Sequence, residues 1–144
     1  MATQELAIPS ERTTEVVWND DTSAIPHGTG VIYETVAGKT RAVKTPAAAG
    51  GILNNRAAGI AWGAIPAGGY GEIVVDGYAE GIVGSAALVS GDLVYISDTN
   101  LHMGELEKVA TSTSQVEVIG VAASDEATQG QYIVVRVVRS AVAT

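Results

Sequence analysis

The sequence predicts a mainly β protein: a small β-barrel or β-tulip-like domain with an extended amino-terminal arm. Three observations carry that expectation. Val and Ile together number 30 against 6 Leu in 144 residues, and β-branched side chains fit a pleated sheet better than a helix. Seventeen Gly and four Pro supply frequent turns. In the carboxy-terminal half, Val/Ile-rich runs at 71–83, 93–97, 116–122 and 132–138 are separated by glycine-bearing or polar connections. No segment carries a helical period longer than a turn or two.

Residues 1–28 read differently from the rest. Pro9, Pro26 and Asn19-Asp20-Asp21, with scattered Ser and Thr, interrupt any long periodic run. This segment is expected to be an arm with two apolar islands, and Leu6, Ile8, Val16, Val17 and Trp18 are its candidate contacts with a neighbouring surface. A Trp is costly to leave in water, so Trp18 is expected to dock either on its own domain or on a partner.

Residues 29–144 are expected to form a single β-domain. Its first hairpin runs from Gly30 to Val36, turns through Ala37-Gly38-Lys39, and returns to Thr45. Pro46 ends the second strand because it has no amide proton for a central ladder. A short strand at 59–65 carries Trp62, and a wide turn with Pro66, Gly68 and Gly69 leads into a long strand at 72–83. Alternation there places Ile73, Val75, Ala79 and Val83 on one face with Gly77 and Gly81. Glu72, Asp76 and Glu80 fall on the other, with Val74, Tyr78 and Ile82. Two glycines on one face indicate the bend that barrel closure requires. A helical turn is expected at 85–89, a turn at Asp98-Thr99-Asn100, and a weaker strand near 107–110. The last strand, carrying Arg136 between valines, is expected at a sheet edge.

The core is light, with no Phe, two Trp and 22 Ala. At about 25 cal/mol per Å² of apolar area such side chains stabilise modestly. Association of copies would supply further burial; a well-packed monomeric barrel is the alternative. Net charge is −8, which repels phosphate and argues against nucleic acid or an anionic membrane as partner. The charge is segregated: residues 1–21 carry −4, residues 39–56 carry +4, and everything after Ala57 carries −7. Arg41, Lys44, Arg56, Trp62 and Tyr70 are the candidate subunit-interface residues, where an acidic arm would meet a basic face of a neighbouring copy. The absence of Cys excludes disulfides and thiolate metal sites. The amino terminus has neither the basic start nor the apolar run of a secretory signal, so the protein is expected to act without export.

The residues that would carry chemistry are sparse. His27 and His102 fall in a linker and a turn, where they are expected to be exposed and idle. No G-x-S-x-G or S-x-x-K motif occurs. Asp98-Thr99-Asn100 begins like a calcium loop but lacks its glycine and closing glutamate. Glu105 and Glu107 would share one face of a strand, as a solvated surface also does. The glycines around His27 and Tyr70 do not complete a phosphate-loop pattern, and no helix follows them. The expectation is therefore a protein that is not an enzyme, with no cofactor and no metal. A ligand-binding β-barrel with Trp62, Tyr70 and Tyr78 lining a pocket is the alternative from another class.

The order of motifs adds a resemblance. A glycine-rich strand at 71–83 is followed by Gly91-Asp92-Leu93-Val94-Tyr95, then Ile119-Gly120-Val121-Ala122, then Ile133-Val134-Val135-Arg136-Val137. Over roughly residues 28–139 this pattern resembles the small head decoration, or cement, proteins of tailed phages. The resemblance implies a compact β-barrel or β-tulip domain and homotrimers on the outer capsid surface at three-fold and quasi-three-fold positions. It further implies the major capsid protein as partner and an amino-terminal arm that engages the shell or a neighbour. The rather long acidic arm departs from that pattern. Another phage structural module, tail- or fibre-associated, is the related alternative.

Overall fold

The computed structural model describes residues 8–46, 57–99, 101–109 and 117–138. Nine strands and no helix lie among them: β1 (Arg12–Asn19), β2 (Gly30–Glu34), β3 (Ala42–Lys44), β4 (Ala57–Trp62), β5 (Tyr70–Ile82), β6 (Leu93–Ile96), β7 (Leu106–Lys108), β8 (Val118–Ala122) and β9 (Tyr132–Val137). They form one sheet in the order β1-β3-β2-β4-β5-β9-β8-β6-β7. An additional β1–β5 pairing closes the first five strands into a barrel.

The expected arm is overturned from Arg12 onward. β1 pairs antiparallel with β5 from Arg12↔Gly77 to Trp18↔Tyr70, and parallel with β3 at Trp18↔Ala42 and Asn19↔Val43. Without it, β3 and β5 would each present an unpaired edge. Its Thr, Val and Trp content suits that position. Asn19, fully buried, then anchors the following loop by donating from Nδ2 to the carbonyls of Ser23 and Ile65, both at 3.0 Å.

Two cores share β5. Val17, Ile25, Val31, Val43, Ala61, Ile65, Ile73 and Val75 fill the barrel interior. Ile32, Ile60 and Val74 point outward from the barrel and are covered by Val94, Ile96, Leu106, Ile119, Ile133, Val135 and Val137 of the second half. The expected one-faced pattern on β5 is corrected accordingly. Val74 is as buried as Ile73, both at 0 % exposure, because both faces of β5 are covered there. Ala79 packs with Val74 rather than with Val75. The alternation slips by one residue at a bulge, where Thr13 pairs with Asp76 and Thr14 with Val74, leaving Val75 unmatched. Gly77 follows at φ 98°, and a Cβ there would run into the Glu11 carbonyl oxygen. At this residue β5 passes from β1 to its new partner β9, through Gly77↔Val137.

The second half nearly closes on itself. A parallel bridge between Val83 and Leu106 returns β7 to the end of β5, and the Gly84 amide donates to the Leu106 carbonyl at 2.9 Å. β9 lies between β5 and β8, so Arg136 is not on an edge strand as expected; its exposed side chain projects from a central one. The expected helical turn at 85–89 is likewise absent. Leu88 exchanges backbone hydrogen bonds with Glu126, each 2.9 Å, satisfying its polar groups across to another loop.

Candidate interaction face

The alternation of β1 sends Val17 and Asn19 inward, so Val16 and Trp18 project from the barrel. Cross-strand register extends this face: Val16 lies opposite Glu72, Trp18 opposite Tyr70, and Trp62 opposite Glu72. Four of the sequence-selected residues, Val16, Trp18, Tyr70 and Trp62, thus share one outer surface across β1, β5 and β4. Val16 is 55 % exposed and Tyr70 58 %. Val17 is corrected: it is fully buried inside the barrel and is not an intermolecular contact. Ile8 is partly buried, and Leu6 and Arg56 lie outside the described residues.

One end of the face is cationic. Trp18 donates from Nε1 to the Gly68 carbonyl at 3.0 Å. Lys39 Nζ sits 4.8 Å from the Trp18 ring centroid and 5.9 Å from that of Tyr70, so the tip of the β2–β3 hairpin lies over both rings. Arg41, exposed at the same tip, adopts φ 57° and accepts the Trp18 amide proton on its carbonyl at 3.1 Å. Lys44 instead pairs with Glu34 inside the hairpin.

The other end is a fastened aromatic cluster. The Arg12 guanidinium lies 4.0 Å from the Trp62 ring centroid, and its Nε donates to the Tyr78 carbonyl at 3.1 Å. The His27 ring meets Trp62 and Tyr132 edge-on, at centroid distances of 5.3 and 5.6 Å. Its Nε2 is 2.8 Å from Glu80 Oε1, and its Nδ1 accepts the Gly63 amide proton at 2.8 Å. His102 Nδ1 is 2.7 Å from Glu105 Oε1. The expectation of idle, exposed histidines is therefore corrected for both. In His27 each ring nitrogen already has a partner, so Nδ1 is not open to act as a base. His27 and Glu80 are 53 residues apart, and no local motif announces the pairing.

Trp62, Tyr70 and Tyr78 do not converge on an interior pocket. Aliphatic side chains occupy the barrel. Tyr78 lines an open surface groove of about 430 Å³ with Arg12, Asp76 and Arg136, while Tyr70 stands in solvent beside Lys39. Among the described residues no group of three His, Cys, Asp or Glu is arranged to hold a metal ion. Glu117 and Tyr95, both among the described residues, titrate away from their ordinary range. Burial pushes the Glu117 carboxyl up, against the opposing pull of a hydrogen bond from the Ala57 amide. Burial also raises Tyr95, reinforced by the negative charges of Glu107 and then Asp98.

No family model matches the sequence, and no curated protein matches it. The structure is similar to the head fibre gp8.5 N base of bacteriophage phi29, with a TM-score of 0.57 and 15 % identity. The two share a fold. The likeness spans 93 % of this chain and all of the phi29 head-fibre base. It thus takes in both the barrel and the strands packed outside it.

Proposed function

We propose that this chain is a structural protein of a tailed-phage virion, a decoration or cement protein that binds the outer capsid surface as homotrimers and stabilises the head. The observation that carries the reading is the whole-chain likeness to a phage head-fibre base. The order of strand motifs in the sequence supports it independently. The role is non-catalytic and needs surface rather than reactive groups, which suits an outer face with Val16 and Tyr70 exposed. The major capsid protein is the partner. A specific contact buries on the order of 1,600 Å² in total.

Adding purified protein to capsids that lack it, then sedimenting, tests the reading. Stoichiometric co-pelleting and a higher temperature of capsid disruption are expected. Failure to bind any maturation form of the shell overturns it. The same likeness favours a second reading, a module at the base of a fibre on the head. Antibody labelling of intact virions separates the two, since decoration covers the head densely and a fibre base marks sparse points.

A further inference from the structure

Two corners of the surface, one on each half of the fold, have complementary character. The barrel corner is the hairpin tip over Trp18 and Tyr70. Lys39 and Arg41 are exposed there, and neither forms an ion pair with a carboxylate among the described residues. Arg41 is the one non-glycine residue with positive φ among the described residues. That left-handed backbone is unfavourable for a residue that carries a side chain, and such strain clusters at sites of contact and function.

The second corner lies where two loops of the other half are stitched together. Leu88 and Glu126 exchange backbone hydrogen bonds at 2.9 Å, and the Ser90 amide donates to Asp125 Oδ1 at 2.7 Å. Val89, 52 % exposed, lies between Leu88 and Ser90 in the same pair of stitched loops as Asp125 and Glu126. Neither carboxylate is in an ion pair among the described residues. Asp92, next in the loop, is engaged by Lys108 at 3.6 Å.

We infer that these corners are the two sides of a head-to-tail contact between copies of this chain. Lys39 and Arg41 of one copy meet Asp125 and Glu126 of the next, with Tyr70 and Trp18 set against Val89. An apolar centre within opposed charges is the usual make-up of a specific interface. The chain-wide charge has the same sense, +4 over residues 39–56 and −7 after Ala57. Because the two surfaces differ, the contact is heterologous and repeats until a ring closes. The inference rests on the homo-oligomer of the proposed function and assigns its surfaces.

The test uses the protein alone, by sedimentation velocity at low and high salt. Wild type is expected to associate, and more weakly at high salt. The pairs K39E/R41E and D125K/E126K are each expected to weaken association by about tenfold or more, as like charges now face each other. All four changes in one chain restore opposite charges at every contact and are expected to restore association. Circular dichroism establishes that each variant is folded. A wild type that is monomeric at every concentration overturns the inference, as does either pair assembling like wild type. A folded fourfold variant that stays monomeric overturns it too. None of these results bears on capsid co-sedimentation, which is measured with the shell present.

Discussion

His27 and Glu80 join the barrel to the second half of the fold through one short contact, 2.8 Å from Nε2 to Oε1. The Gly63 amide occupies Nδ1, so in the neutral ring the proton sits on Nε2 and is donated to the carboxylate. One imidazole thereby gathers the loop after β1, the end of β4, the carboxy-terminal part of β5 and, through the Tyr132 edge, β9. Substitution His27→Ala leaves a carboxylate without its donor and an amide without its acceptor. A loss of about 1–3 kcal/mol in urea unfolding is expected. A loss below about 0.5 kcal/mol, typical of plain surface sites, would show that the contact does not fasten the halves.

Gly77 tests the handover within β5. Alanine there meets both an unfavourable φ and the Glu11 carbonyl. Gly38, at φ 77° with open space around it, provides the comparison. Gly38→Ala is expected to cost about 1 kcal/mol, the backbone term alone. Gly77→Ala is expected to cost well beyond that, because β1 must shift as well. Equal melting temperatures for the two variants would remove the clash from the account.

Truncation separates strand from arm. A chain beginning at Ile8 keeps every described contact of β1 and is expected to fold cooperatively. A chain beginning at Thr29 loses β1, its ladder to β5 and the buried Val17 and Ile25. It is expected not to fold cooperatively, which circular dichroism during heating would reveal.

Glu117 gives a pH dependence with a definite sign. Its folded carboxyl titrates above the ordinary value of 4.5 because burial disfavours its charge. The native state therefore holds this proton more tightly than the unfolded chain does. The group opposes folding at neutral pH, and the penalty fades as pH falls through the folded value towards 4.5. Glu117→Gln keeps an oxygen for the Ala57 amide and removes the charge. It is expected to melt higher than wild type at pH 7, with the difference vanishing near pH 4.5.

Strands whose period and punctuation agree were legible in the sequence. The β2–β3 hairpin forms around Gly38, and the Val/Ile runs become β6, β8 and β9. β1 was obscured because Pro9 before it and Asp20-Asp21 after it read as linker, while its antiparallel partner lies some 60 residues away in β5. Period alone separates Val16 from Val17 but does not say which faces the core; barrel closure decides that. Val74 was misassigned for a related reason, since alternation on one strand carries no record of a second layer packed outside it. Trp18 and Tyr70 were singled out separately, and only the β1–β5 register makes them neighbours. The fastening of His27 depends on four segments and leaves no local trace.

The sharing of β5 has a mechanical consequence. Force applied to either half reaches the other along a single covalent backbone, since residues 70–77 belong to the barrel ladder and residues 77–82 to the β9 ladder. There is no linker between the halves to stretch first. The bend at Gly77 is clamped by Arg12 on one side and Val137 on the other. A pull on either half therefore loads the two ladders of β5 together rather than one after the other.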